Sequence, residues 1–173
     1  VAVSDEDGVY RSVPVFLDVE GRPVPAFGVA TAAAFLRVSP DKMPVPVDSQ
    51  GRLLINYAGR WEDGPFPYLS FADVFDAIGE GRLDELRKHV AGKIVVLLHA
   101  GTDADKRLTP LEAKAPGGFI HANAINTIVT GRALRVLGSG GAAVVTLGVS
   151  LLAAALLVVS PGWTGLGWVG ALT

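Results

Sequence analysis

The chain has 173 residues, half of them hydrophobic, a formal charge of −2 and no cysteine. The weak net charge and the lack of a basic run argue against nucleic-acid binding, and the missing cysteines exclude disulfides, thiol catalysis and cysteine-ligated metals. All 32 charged side chains (15 basic and 17 acidic) lie in residues 1–135, and the last 38 residues contain no Asp, Glu, Lys, Arg or His. A water-soluble domain is therefore followed by a segment of membrane-like composition.

The first half of the chain predicts two short strands around one apolar helix. Residues 13–17 read as a strand and residues 21–25 as a turn. The Ala-rich residues 26–37 predict a helix that is buried on several sides, because it is apolar nearly all round. Three prolines place residues 39–51 in a loop, and residues 53–57 form a second apolar strand.

The next elements predict an α/β layered domain. Ser70 and Asp73 have the spacing of a helix cap, so a helix should run from residue 70 to about 78. Residues 83–90 carry one apolar stripe and predict an amphipathic helix. Residues 94–98 are a continuous apolar run, which is typical of a central strand covered on both faces. The order of strands and helices indicates a mixed, mainly parallel sheet with flanking helices.

The last water-facing helix is predicted over residues 119–134. At 100° per residue, Ile120, Ala124 and Ile128 share one apolar arc, with His121 near its middle. Asn123 lies on the opposite, polar arc.

The uncharged end predicts a transmembrane hairpin. Residues 141–160 are long and apolar enough for one span, Pro161-Gly162 predicts a turn, and residues 163–173 resemble the start of a second, truncated span. Arg132 and Arg135 would favour a cytoplasmic position for residues 1–135 by the positive-inside rule. The abrupt ends, without an initial Met, lead us to expect a fragment of a longer polypeptide.

The best-placed candidate site follows the predicted central strand, because ligands of open α/β sheets bind at the carboxyl ends of strands. Two residues of the later helix complete the candidate ligand-binding set: His99, Thr102, Asp103, Asp105, His121 and Asn123. A polar turn after a buried strand, and a buried structural histidine at position 121, are the alternatives. Asp5 and Asp7 could hold a hard cation, but a solvated turn is the favoured interpretation because no further set of oxygen ligands lies nearby in the sequence. The sequence predicts no catalytic residue, cofactor or metal site, and it lacks GxGxxG, GxxxxGK[ST], HExxH and GxSxG motifs.

A series of motifs spreads over nearly all of residues 1–135 in a fixed order. They are Asp5-Glu6-Asp7-Gly8-Val9-Tyr10-Arg11 with Val13-Pro14-Val15, Ile55-Asn56-Tyr57-Ala58-Gly59, Ser70 to Phe75, Gly92-Lys93-Ile94-Val95, Asp105 with Thr109-Pro110, Pro116 to Ile125, and Gly131-Arg132. Through them the chain resembles the type-two CHASE domain, an extracytoplasmic sensory module of bacterial membrane receptors. It departs from that pattern at His99, where the family usually has Gly, so a pocket beside it would be altered. The N-terminal part of the family domain also has no counterpart here.

The resemblance implies a sensor whose residues 1–135 lie outside the cytoplasm, in the periplasm, against the indication of Arg132 and Arg135. It implies an unidentified extracytoplasmic ligand, anchorage in the inner membrane, no nucleic acid, and a missing cytoplasmic output domain such as a cyclase, diguanylate cyclase or kinase. No catalytic residues follow from it, so this fragment is not expected to be an enzyme. Two alternatives stay open: a membrane-anchored α/β hydrolase using His99 or His121 with Asp103 or Asp105, and a dimerisation module without a ligand, forming a homodimer.

Overall fold

The structure is a computed structural model that describes residues 4–159, and it divides the chain into two compact units, Val1–Arg135 and Val136–Thr173. In chain order the elements are β1 (Ser12–Pro14), β2 (Phe16–Val19), β3 (Arg22–Pro25), α1 (Phe27–Leu36), β4 (Arg52–Leu54), α2 (Phe71–Gly79), α3 (Leu83–Val90), β5 (Lys106–Arg107), β6 (Ala115–Pro116), α4 (Gly117–Val129) and α5 (Ser139–Val159). The predicted mixture of helices and strands is thus confirmed.

The arrangement of the strands differs from the predicted sheet. The described strands form three separate antiparallel pairs, β1 with β4, β2 with β3 and β5 with β6. Among residues 4–159, parallel pairing is limited to one bridge between Val9 and Leu108. The prediction of a mainly parallel sheet is therefore wrong for this part of the chain.

The predicted central strand accounts for this difference. Residues 94–98 form no regular secondary structure and pair with no described strand. Val95 and Leu97 are 65% and 80% exposed, whereas the prediction had them covered. An apolar run indicates that a segment favours a buried environment. It does not show which neighbouring strand, if any, would cover it.

The predicted turn at residues 21–25 is instead the second half of a β-hairpin. Val19 pairs with Arg22, and the Gly21 N–H donates to Oδ1 of Asp18 at 2.7 Å. Pro23 and Pro25 favoured a turn in the sequence, but proline is also tolerated on an edge strand, where its missing N–H would face outward.

The core of the first unit lies between two helices and the β1–β4 pair. α1 packs on α4, and a Cβ added at Gly28 would lie 3.4 Å from Cβ of Ala124, so the two helices approach closely. Val29, Leu53 and Ile120 are among the completely enclosed side chains. The prediction that α1 is buried on several sides is wrong, because it exposes the apolar side chains Phe27, Phe35 and Leu36.

The helix predicted from residue 70 and the amphipathic helix predicted over residues 83–90 are confirmed as α2 and α3. The hydroxyl of Ser70 accepts the Asp73 N–H at 3.0 Å, which is the predicted cap. α3 spans the predicted residues, and acidic side chains in its first turn and basic ones in its last turn suit the helix dipole. Apart from Ala77, however, neither helix buries a residue completely.

The second unit contains α5, one helix that is long and apolar enough to cross a bilayer, as judged by its length and composition. The predicted first span at residues 141–160 falls largely on this helix. The predicted second span, and with it the hairpin, lies outside the described residues.

Candidate functional site

The N-terminal end of α4 is built around two glycines that admit other parts of the chain. A Cβ at Gly117 would lie 2.5 Å from Oδ1 of Asp105, and a Cβ at Gly118 would lie 2.5 Å from Cβ of Leu98. Any larger residue would displace the neighbour. The two glycines therefore let the Asp105 carboxylate and the end of residues 94–98 contact the first turn of the helix.

A depression of about 330 Å³ opens beside this helix end. Its lining residues are Tyr10, Asp105, Arg107, Gly117, Gly118, Ile120 and His121. The volume lies at the lower end of the range for small-molecule sites, which hold a few polar groups among apolar ones. Two of the predicted ligand-binding residues, Asp105 and His121, are thus brought together here.

The acidic group of the depression is held in place by an arginine. Oδ1 of Asp105 forms an ion pair with Arg107 Nη2 at 3.2 Å, and Arg107 Nη1 donates to the carbonyls of Ala104 and Lys106, both at 3.0 Å. A carboxylate at a helix N-terminus is also favoured by the helix dipole. The Asp105 side chain still keeps nearly half of its surface exposed, so it is accessible to a ligand.

His121 is half-buried, and the edge of its ring contacts Phe27 with the ring centres 5.3 Å apart. Burial lowers the pKa of His121 by disfavouring the charged ring, while the nearby Asp105 carboxylate opposes this to a smaller extent. Within residues 4–159 no hydrogen bond joins His121 to Asp103 or Asp105. The direct Asp–His pair that the hydrolase alternative requires is therefore not formed in this part of the chain.

Three other predicted residues lie on the exposed loop before β5. His99 Nδ1 and Thr102 Oγ1 are 3.4 Å apart, and Asp103 forms an ion pair with Lys106 Nζ at 2.9 Å. The hydrogen bond from Lys106 lowers the pKa of Asp103. None of the three lines the depression, so the loop and the helix end do not form the single site that the sequence suggested.

Asn123 is completely buried and has a structural environment. Its Oδ1 accepts the Ala58 N–H at 2.9 Å, and its Nδ2 donates to the Phe119 carbonyl at 2.9 Å. Thr127, one turn later, accepts the Asn56 N–H at 3.0 Å. Side chains of α4 thus accept backbone N–H groups of residues 56–58, as the carbonyls of a neighbouring strand would. Both polar atoms of the Asn123 side chain have a hydrogen-bond partner.

Sequence reasoning did not include Tyr10 and Arg107 in the site. Tyr10 precedes Arg11 in the acidic N-terminal motif, and its carbonyl accepts the Tyr57 hydroxyl at 2.6 Å. Arg107 lies two residues after Asp105, but Asp105 ends a short 3-10 helix (Asp103–Asp105) and Arg107 belongs to β5. No regular spacing in the sequence therefore signalled the ion pair.

The acidic turn that suggested a cation is occupied by arginine. Arg11 contacts Asp5 at 3.1 Å and Asp7 at 2.8 Å, and Arg52 contacts Asp5 at 3.2 Å. The hydrogen bond from Arg11 lowers the pKa of Asp7. No group of three or more His, Cys, Asp or Glu suited to a metal occurs within residues 4–159. Asp5 and Asp7 therefore belong to a surface turn whose carboxylates are paired with arginine, and these contacts favour a turn over a cation site.

Comparison with known proteins agrees with the resemblance drawn from the motifs. The model of one family, described as CHASE2 domain, matches residues 1–158. No curated protein and no solved structure matches the chain significantly.

Proposed function

Because the chain belongs to the CHASE2 domain family, whose members are extracytoplasmic sensory domains and not catalytic ones, we propose that it is the input module of a bacterial membrane receptor. In this proposal a small ligand outside the cytoplasm binds the first unit. The signal then passes through the apolar α5 to an output domain elsewhere in the protein, such as a cyclase, diguanylate cyclase or kinase.

The observation that carries the proposal is the position of the depression on α4. Gly117, Gly118, Ile120 and His121 all belong to the first turns of this helix. The helix then leads along the chain toward the boundary at Arg135. A ligand that contacts His121 would therefore act on the same helix that precedes the membrane segment.

The contacts along α4 make it suited to transmit a displacement. Asn123 and Thr127 bind residues 56–58 through partly buried hydrogen bonds, and Asn56 Nδ2 donates to the Arg132 carbonyl at 3.0 Å. The segment after β4 is thus attached to the middle and the last turn of α4, and to the residues that follow the helix. A hydrogen-bonded network of this kind favours one arrangement, so a shift of the helix would carry residues 56–58 with it.

The family and the apolar helix together support a location for this chain. We place the first unit in the periplasm and α5 in the inner membrane. Arg132 and Arg135 favour the opposite orientation, but large domains are exported largely regardless of such charges.

A thermal-shift screen of the whole chain in detergent, against a library of small metabolites and ions, tests the ligand site. A compound that binds in the depression should lose its effect in Asp105→Asn and His121→Gln. It should keep that effect in the matched loop variants Asp103→Asn and His99→Gln. Equal loss in both pairs would reject the depression as the site.

The signalling role has a separate test in the full-length receptor. Deletion of residues 1–135 should abolish the response of the output domain to signal while leaving its basal activity measurable. Retention of a signal-dependent response after this deletion would refute the sensory role of this chain.

A further inference from the structure

Two opposite charges lie side by side in the depression at the N-terminal end of α4. Oδ1 of Asp105 is 3.2 Å from Nη2 of Arg107, and both side chains line the depression. The other lining residues carry no permanent charge. The depression therefore presents one negative and one positive group to a ligand, with no net charge.

Both charged groups keep bonding capacity that the described part of the protein does not use. Within residues 4–159, Oδ2 of Asp105 accepts no hydrogen bond, and Nε of Arg107 has no acceptor. The two side chains are 44% and 35% exposed. A carboxylate has about four acceptor positions and a guanidinium has five N–H donors. A ligand can therefore bond to each group while the ion pair between them stays in place.

Two uncharged polar side chains beside the ion pair also lack protein partners within residues 4–159. His121 is half-buried, yet neither of its ring nitrogens forms a hydrogen bond there, and the Tyr10 hydroxyl has no partner there either. Polar groups in such a position bond to water or to a ligand. The two rings also supply apolar surface, so the depression has room for an apolar group next to the charges.

The ion pair discriminates between classes of small ligand. A simple cation that is attracted by Asp105 is repelled by the adjacent Arg107, and a simple anion meets the reverse arrangement. A neutral polyol can form hydrogen bonds to both groups but gains nothing from their opposite charges. A ligand with an ammonium and a carboxylate close together meets both charges favourably, because its dipole can lie antiparallel to that of the ion pair.

We propose that the depression binds a free α-amino acid with an uncharged side chain, its ammonium on Asp105 and its carboxylate on Arg107. An α-amino acid carries both charged groups on one carbon, a spacing that suits two protein groups in direct contact. The side chain of the ligand lies against the rings of Tyr10 and His121. This inference rests on the proposed function, because it names the ligand class of the same depression.

Calorimetry on the 173-residue chain in nanodiscs tests the ligand class without any variant. The probes are the L-α-amino acids with uncharged side chains, and glucose serves as the neutral polyol. The amino acid that binds most tightly is then compared with the amine that lacks its carboxylate and with the acid that lacks its ammonium. Each truncated compound should bind about tenfold more weakly, because one charged contact is lost. A truncated compound that binds as tightly as the amino acid, or binding of glucose alone, would overturn the proposal.

Two charge-removing variants should change the ligand preference in opposite ways. Asp105→Asn should bind the amino acid about tenfold more weakly and the truncated acid more tightly, because Arg107 is released from its ion pair. Arg107→Gln should likewise favour the truncated amine over the amino acid. Asp103→Asn is the matched control, since its carboxylate pairs with Lys106 and does not line the depression. Equal binding of the amino acid by all four proteins would place its site elsewhere and overturn the proposal.

Failure of this inference is distinct from failure of the sensory role. If no amino acid binds at millimolar concentrations, the proposed ligand class is wrong, and the deletion of residues 1–135 in the full-length receptor still decides the sensory role. If an amino acid binds as expected but a signal-dependent output survives that deletion, the binding site stands and the sensory role is refuted.

Discussion

The side-chain oxygen of Asn123 accepts the backbone N–H of Ala58 at 2.9 Å, joining a helix to a segment 65 residues earlier in the chain. Asn123 is completely buried, so this bond forms away from water. A buried polar group that loses its partner bears the full cost of its desolvation. The contact therefore explains why a polar residue occupies the interior of the helix.

Replacement of Asn123 by Ala should destabilise the first unit by about 1–3 kcal/mol, because the hydrogen bonds of its buried amide to the Ala58 N–H and the Phe119 carbonyl are lost. Asn126→Ala on the same helix is the control, since the Asn126 side chain is only partly buried and makes no hydrogen bond within the described residues. Chemical denaturation of both variants measures the difference. Equal stability of the two would contradict the structural role of Asn123.

Gly117→Ala should also destabilise the protein, because its methyl group would overlap the Asp105 carboxylate. Because the Asp105 carboxylate ends a half-exposed side chain that can move, the cost should stay at the lower end of the about 1–3 kcal/mol that overpacking causes. In an Asp105→Ala background the same change should cost much less, and a double-mutant cycle would measure this coupling. Gly79→Ala at the end of α2, where the added Cβ meets no atom within 4 Å, should be neutral or stabilising. Without coupling between positions 105 and 117, the close approach of the two residues would be disproved.

The stability of the first unit should fall in mild acid, in part because of His121. Burial lowers its folded-state pKa below the ordinary value of 6.5, so the unfolded state binds the proton more readily. The contribution of neutral His121 to the free energy of unfolding is complete above pH 6.5. It is lost as the pH falls from 6.5 through the lowered pKa of the folded state. His121→Gln should remove this part of the pH dependence, whereas His89→Gln, at an exposed position of α3, should leave it. Thermal unfolding between pH 5 and 8 provides the test. If the unfolding temperature of His121→Gln depends on pH as steeply as that of the unmodified chain, the proposed role of His121 is wrong.

An arginine placed at the middle of α5 should hinder its insertion into a bilayer. Val149→Arg puts a charge near the centre of the helix, which costs about 2.5–3.5 kcal/mol on insertion scales. Ser139→Arg, at the first residue of the helix, should insert almost normally. Extraction of membranes with alkaline carbonate distinguishes the two variants. Full extraction of the unmodified chain would show that α5 is not a membrane span.

Local signals in the sequence predicted the helices well. Ser70 and Asp73 gave the start of α2, and the apolar stripe from Leu83 gave the extent of α3. Both signals act within one or two turns of chain, so no distant residue is needed to interpret them. α4 was found as well, although it begins at Gly117 and ends at Val129, earlier than predicted at both ends.

The pairing of strands and the composition of the site depend on distant contacts, and there the sequence was less informative. Residues 94–98 had the composition of a central strand, but composition does not identify a partner. Asn123 was included in the ligand-binding set and placed on the polar arc of its helix, whereas its side chain hydrogen-bonds to Ala58 in the segment after β4. Asp105 and His121 line one depression, but the sequence named them only as members of a larger set, since the position of Gly117 relative to Asp105 is a property of the folded chain.

The attachment of α4 at Asn123 and Thr127, and of the following residues at Arg132, sets a rule for building chimeric receptors from this domain. Insertion of one residue between Asn123 and Thr127 would rotate the following part of the helix by about 100° and advance it by about 1.5 Å. The hydrogen bonds to Asn56 and Ala58 could then not form together. A functional junction to a different membrane anchor should therefore lie after Arg135, so that the contacts of residues 123–132 with residues 56–58 are all kept.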